Sequence, residues 1–238
     1  MGGHAEFVAK KESGMLTTFP KGMSYAEAAP ILEGSHYALF YIRAAKVGKG
    51  TKVLINGATG AIGSAALQIM HHLGADIIAT ARKKDHELVK KLGAKKVIDY
   101  ETEDFTKLDE TFDVILDAVG KRTFAECRPL LTESGLYTSS EPGPNWQNPM
   151  LALKTKFIGK QKVLFPIPSN KLEDMEYIKD LVVKGHFTPV VDRTYEFDDI
   201  VEATKYAQSG QKVGSVVITI PHGKLTKLKK LFKRKSKN

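Results

Sequence analysis

Residues 52–63 constrain this chain more than any other stretch. Lys52-Val53-Leu54-Ile55-Asn56 is a short, mostly apolar run, and Gly57-Ala58-Thr59-Gly60-Ala61-Ile62-Gly63-Ser64 follows it directly and opens a segment with apolar residues at helical spacing. A strand that enters a glycine turn and then a helix belongs to a βαβ unit. The same alternation continues to the end of the globular sequence. Strands are predicted at 52–56, 76–80, 96–99, 112–117, 135–139, 160–165 and 215–220, and helices at 61–73, 86–92, 124–131, 172–183 and 200–208. Several of the strands are apolar throughout, as strands covered on both faces must be. The predicted class is α/β, a doubly wound parallel sheet.

Upstream, Ser24 and Glu27 form a capping-box pattern that starts a helix near Tyr25, and a second helix is expected over 37–45. Residues 141–149 hold three prolines and a glycine and read as a loop. With 42% hydrophobic and 26% charged residues over 238 positions, the chain can bury one substantial core. No apolar run approaches the roughly 20 residues that cross a bilayer. The start of the chain lacks the pattern of a secretory signal. Cys127 is the single cysteine, which excludes an internal disulfide and a cysteine-built metal site and points to a cytoplasmic location.

The net charge of +9 is misleading as a sign of nucleic-acid binding. Eight of the basic residues sit in 224–238, which hold no acid, so the other 223 residues are almost neutral. No nucleic-acid partner is expected. The tail spaces Leu225, Leu228, Leu231 and Phe232 among its lysines, a pattern that suits an anionic membrane surface, but a solvated terminus is the favoured reading.

The glycine turn carries the chemistry. Gly60 lets a backbone approach a diphosphate, Gly63 lets the helix pack tightly against the strand, and the amides opening the helix hold the anion. This is the dinucleotide-binding form of the doubly wound sheet, the Rossmann fold, with Ala58 where its first glycine usually stands. The second strand selects the dinucleotide. A carboxylate there binds the ribose 2′-hydroxyl of NAD, whereas Thr80-Ala81-Arg82-Lys83-Lys84 offers a hydroxyl and cations and no acid before Asp85. NADPH is expected and NADH is less favoured.

These residues, with Leu92-Gly93-Ala94, Val97-Ile98-Asp99-Tyr100, Asp113-Val114-Ile115-Leu116-Asp117-Ala118-Val119-Gly120 and Gly210-Gln211-Lys212-Val213-Gly214, resemble the medium-chain dehydrogenase/reductase superfamily. Within it the chain is similar to the zinc-independent, quinone-oxidoreductase-like branch, also labelled NAD(P)-dependent alcohol dehydrogenase. The resemblance implies that Ala58, Thr59, Gly60, Ala61, Ile62 and Gly63 hold the diphosphate. It also implies that Thr80, Arg82, Lys83 and Tyr100 meet the adenosine end, and that Asp117, Ala118, Val119, Gly120, Ser139 and Ser140 line the ribose and nicotinamide. For Asp117, a structural carboxylate capping the following segment is an equal alternative. No catalytic side chain is assigned.

Relatives of this kind carry an N-terminal barrel-like domain before the dinucleotide-binding one. Gly3-His4-Ala5-Glu6-Phe7-Val8 resembles its last strand, so the expected organisation is a remnant of that domain over 1–22, the NAD(P)-binding domain over 23–221 and the basic tail over 222–238. Glu33 stands near the position where zinc-dependent relatives place a cysteine ligand, and one candidate ligand makes no site; no metal is expected. The implied activity is NADPH-dependent hydride transfer to a quinone, enone or small carbonyl, by a homodimer joined along strand 160–165. The alternative is a nucleotide-binding module or truncated remnant without turnover.

Overall fold

The computed structural model describes residues 4–5, 8–11, 14, 16–168 and 171–220. The basic tail, and Gly3, Glu6 and Phe7 of the segment that resembles a barrel strand, lie outside the described residues.

Two helices precede the sheet. Helix α1 (Tyr25–Ala28) has the capping box that Ser24 and Glu27 promised, with each side chain bonded to the other's backbone N–H. Helix α2 (Ile31–Ala44) begins six residues before the expected start, directly after Pro30 at its N-cap. Gly34 and Ser35 disguise that first turn in the sequence because neither favours a helix interior.

From there the chain winds as β1 (Lys52–Asn56), α3 (Ala61–His72), β2 (Asp76–Ala81), α4 (His86–Lys91), β3 (Lys96–Asp99), β4 (Phe112–Asp117), α5 (Phe124–Cys127), β5 (Leu131–Ser139), α6 (Gln147–Phe157), β6 (Lys162–Leu164), α7 (Leu172–Val183), β7 (Val191–Glu196), α8 (Ile200–Gln208) and β8 (Ser215–Thr219). Strands β1 to β6 form one parallel sheet in the order β3-β2-β1-β4-β5-β6. The order reverses between β1 and β4, so a crevice opens at the carboxyl ends of those two strands, where doubly wound sheets bind their ligands.

Three expectations need correction. The strand near 215–220 does not extend the sheet: β8 pairs only with β7, a strand that its polar, largely surface-facing residues concealed, and the two form a separate parallel pair. The stretch 141–149 is a loop only in part, because α6 starts at Gln147 and takes Pro149 into its first turn, where a missing N–H costs nothing. The helix expected over 124–131 stops as an α-helix at Cys127 and ends in a short 3-10 turn containing Pro129.

Each face of the sheet carries its own apolar core. On one face α2, α3 and α7 pack through Leu39, Ile42, Leu67, Ile69, Ile178 and Leu181 against Val53, Ile55 and Val114. On the other, Phe105, Phe112, Phe124, Leu130 and Tyr137 cover Leu54, Ile98 and Ile115, with Leu151 and Ala152 of α6 laid against them. Arg43 of α2 pairs with the buried carboxylate of Asp174 on α7, which ties the two helices together.

Candidate functional site

Between β1 and α3 the chain makes a turn that only particular residues can form. Gly57 sits at φ +85°, in the left-handed region that side-chain-bearing residues avoid. A β-carbon at Gly63 would run into the Gly57 carbonyl oxygen and lie 3.0 Å from the Ala58 Cα, so glycine is what lets α3 abut the turn. Gly60 differs from both. Its φ of −70° and ψ of 168° are open to any residue, and an added β-carbon would meet only the Gly57 oxygen, at 3.7 Å. No protein atom demands glycine at position 60. Helix α3 carries no side-chain cap at Gly60, so the first-turn amides of Ala61, Ile62 and Gly63 have no intrahelical acceptor.

Beneath this turn, one chain of polar contacts laces the carboxyl ends of three strands. The Gly57 N–H donates to Thr80 Oγ1 at 3.0 Å, the Thr80 hydroxyl donates to Asn56 Oδ1 at 2.7 Å, and Asn56 Nδ2 donates to Asp117 Oδ1 at 3.0 Å. Asp117 also accepts from the backbone N–H groups of Val119 (3.3 Å) and Arg122 (2.8 Å). Thr80 and Asp117 are fully buried. Burial holds the Asp117 carboxyl above the usual carboxylate range, although hydrogen bonds from Arg122, Asn56, Val119 and Gly120 pull it down. Both side chains are thus spent on holding β2, β1 and β4 in register at the crevice. Asp117 caps the 118–122 turn, while α5 has its own capping box of Thr123 and Glu126.

On the β2 and β3 side of the crevice, Arg82 reaches three groups. Its Nε donates to the Tyr100 hydroxyl at 2.8 Å and lies 3.6 Å from Glu101, and one terminal nitrogen donates to the Gly210 carbonyl at 3.1 Å. A guanidinium has five N–H donors, so several remain for a ligand. Tyr100 is about half exposed beside it, and Lys83 is exposed on the 3-10 turn Lys83–Asp85 that follows.

The segment 210–214 then crosses toward the glycine turn. The Gly214 N–H donates to the Thr59 carbonyl at 2.6 Å, and Gly60 and Gly214 form an isolated parallel bridge. Lys212, whose ammonium donates to the Gly214 carbonyl at 2.7 Å, lies in this segment between Gly210, which accepts from Arg82, and Gly214, which bonds to the turn. Sequence reasoning quoted this segment without assigning it a role. Asn56 was missed as well; its position as the last residue of a buried strand, an apolar run ending in an amide, was the available signal.

On the other side, Ala118 donates its N–H to the Asn56 carbonyl at 2.9 Å and Ser140 to the Asp117 carbonyl at 3.0 Å. The Ser139 hydroxyl oxygen accepts from Glu141 N–H at 3.2 Å. Val119 is 40% exposed and flanks Gly57, where a β-carbon would lie 3.2 Å from Val119 Cγ2. Gly120 is left-handed and backed by the Glu141 side chain. The turn, the Arg82–Tyr100 end and the 118–120 and 139–140 loops thus lie along the carboxyl edge of the sheet.

Residues 92–218 match the family model described as zinc-binding dehydrogenase, which is more than half of the chain. The chain belongs to this family. The motifs above are those of the medium-chain dehydrogenase/reductase superfamily, and quinone-oxidoreductase-like proteins are among the chain's homologues. Similar curated members include a 2-methylene-furan-3-one reductase of Solanum lycopersicum, 29% identical over 91% of this chain and 52% of that protein. A chloroplast envelope quinone oxidoreductase homolog of Arabidopsis thaliana is 28% identical over 91% of this chain and 68% of that protein. Among solved structures, the quinone oxidoreductase from Coxiella burnetii shares the fold with a TM-score of 0.76 at 24% identity, covering 86% of this chain and 64% of its own. The chain thus spans about half the length of the tomato relative.

The family description implies zinc, and the donors on hand do not fit it. Among the described residues no three His, Cys, Asp or Glu side chains converge. Cys127, the single cysteine, is buried, and among the described residues no group of three possible ligands includes it.

Proposed function

We propose that this cleft binds NADPH in preference to NADH and that the protein is a zinc-independent oxidoreductase passing hydride to a quinone, an enone or a small carbonyl. The observation that carries the reading is the opening of α3: three first-turn amides with no side-chain cap, beside a glycine that no protein contact requires. A helix terminus of this kind favours a diphosphate through both its free donors and its dipole.

In this reading Ala61, Ile62 and Gly63 offer their amides to the diphosphate, Gly60, whose own N–H is donated to the Gly57 carbonyl, leaves it room to approach, and Ala58 and Thr59 shape the turn. Arg82 and Lys212 meet the 2′-phosphate, with Lys83 adding charge and Tyr100 lying beside the adenosine. Ala118, Val119, Gly120, Ser139 and Ser140 line the ribose and nicotinamide. Thr80 and Asp117 act from beneath, as the frame that keeps three strand ends level. When bound, the cofactor supplies the hydride, and the protein's task is to orient it and hold water off. The accompanying proton comes from solvent or from a hydroxyl of the cleft.

A homodimer joined along β6, the outermost strand of the sheet, belongs to the same reading. A cytoplasmic location belongs to it too, although the Arabidopsis relative is named for the chloroplast envelope. No helix among the described residues is long and apolar enough to cross a membrane. Because the chain spans 52% of its tomato relative, a module that binds the nucleotide without turnover is the second reading. Calorimetric titration with NADPH and NADH, followed by cofactor oxidation against a panel of quinones and enones, separates the two. No heat with either nucleotide on folded protein overturns both.

A further inference from the structure

Helix α6 presents an apolar stripe to solvent. Met150, Leu153 and Phe157 follow one another at spacings of three and four residues and so share one helix face, and Trp146 stands just before them at the helix N-cap. All four are exposed, Trp146 at 70% and Phe157 at 76%, and Ile158 extends the patch. The opposite face holds the residues that bind the helix to the sheet: Asn148 and Thr155 are buried, and Leu151 and Ala152 pack on the core. The stripe therefore points directly away from the sheet. The chain enters this helix through two successive non-glycine residues in the left-handed region, Asn145 (φ 50°) and Trp146 (φ 58°), a costly conformation that a fold keeps where it serves a purpose.

We infer that the exposed face of α6 docks on an anionic lipid surface. Charge decides the occupant. Helix α6 carries Lys154 and Lys156 and no acid, and Lys156 sits with its ammonium 5.8 Å from the Phe157 ring centroid. A second copy seated on the stripe by two-fold symmetry would bring Lys154 and Lys156 near their own counterparts with no acid of α6 between them. A bilayer of anionic lipid answers both features: indole and phenyl rings settle at the headgroup boundary, and the lysines keep their stems on apolar surface and their ammonium groups among phosphates. The eight basic residues of 224–238 add attraction of the same sign.

Trp146 is the single tryptophan of the chain, so its fluorescence reports on this face alone. The test mixes full-length protein with phosphatidylserine-containing vesicles, with phosphatidylcholine vesicles, and with anionic vesicles whose acyl chains are brominated. The expected result is a blue shift of the Trp146 emission with anionic vesicles, quenching by the brominated chains, loss of both in high salt, and partition weakened about tenfold or more in Leu153→Glu/Phe157→Glu. Both substituted side chains are exposed, so the variant keeps its fold, checked by circular dichroism. An unshifted emission overturns the inference. So does co-sedimentation without quenching, which assigns binding to the basic tail, and so does a shift that follows protein concentration without vesicles while the mass doubles, which assigns the stripe to a second copy.

Discussion

Gly60→Ala places one methyl group at the mouth of α3, and the structure gives it room on the protein side. The residue's φ of −70° and ψ of 168° suit alanine, and the new carbon would touch only the Gly57 oxygen, at 3.7 Å. Replacing glycine where the backbone already fits removes freedom from the unfolded chain and stabilises by about 0.4–1 kcal/mol. For a domain of this size that is a rise in Tm of about 1–4 °C. The same methyl occupies the approach to the Ala61, Ile62 and Gly63 amides. Displacing a diphosphate from one charge-assisted hydrogen bond costs about 1.5–3 kcal/mol, so the Kd for NADPH should rise about ten- to hundredfold.

Gly63→Ala should behave in the opposite sense for folding. Its methyl overlaps the Gly57 carbonyl, α3 must retreat, and such overpacking costs about 1–3 kcal/mol, a Tm loss of about 2–12 °C. Calorimetry for binding and a thermal melt for stability measure the pair. A Gly60→Ala protein that melts at or above the wild-type temperature and binds NADPH with unchanged Kd would refute the placement of the diphosphate at α3.

Arg82→Ala should weaken NADPH binding about tenfold or more and leave NADH nearly unaffected, read as the ratio of the two Kd values; an unchanged ratio removes Arg82 from the 2′-phosphate. Lys212→Ala should lower NADPH affinity by a smaller factor, about three- to tenfold, and flatten its salt dependence, measured by titration at two ionic strengths. Asp117→Asn should abolish one component of the pH dependence of stability. Burial raises the Asp117 carboxyl in the folded protein, so between its unfolded and folded values the native state holds the extra proton, and stability from this group increases as pH falls through that window. The lowered carboxyls of Glu27, Asp104, Glu126 and Glu176 act with the opposite sign in both proteins. The wild-type-minus-variant difference across urea melts at several pH values therefore isolates Asp117, and a difference that does not change with pH would contradict the burial argument.

Much of the architecture was legible before any coordinates. The strand, glycine turn and helix of 52–72, the buried runs that became β2, β3 and β4, and helices α7 and α8 came from local patterns: period, punctuation by glycine, and apolar continuity. These are properties of a few adjacent residues, and hydrophobic burial rewards them in nearly any tertiary setting. The elements misread were those whose sequence lacks such a pattern. Strand β7, Val191–Glu196, has polar side chains and pairs only with β8, so no apolar alternation marked it. Helix α6 takes a proline into its first turn and keeps a stripe of large apolar side chains outside, which inverts the usual inside-outside signal.

By itself, then, the order of residues determined the α/β class, the glycine turn between β1 and α3, and a stretch after β2 with no acid before Asp85. Only the folded chain decided what each side chain in the cleft is free to do. The resemblance implies ligand contacts for Thr80 and Asp117, with a structural cap an equal alternative for Asp117, and in the folded chain their polar atoms bond to Gly57, Asn56, Val119 and Arg122. The segment that carries Lys212, 130 residues beyond Arg82, reaches the glycine turn because Gly214 bonds to Thr59 and bridges Gly60. Hydrogen-bond capacity is finite and shared among neighbours in space, and those neighbours come from distant parts of the chain, so the final allocation of donors and acceptors is a tertiary property.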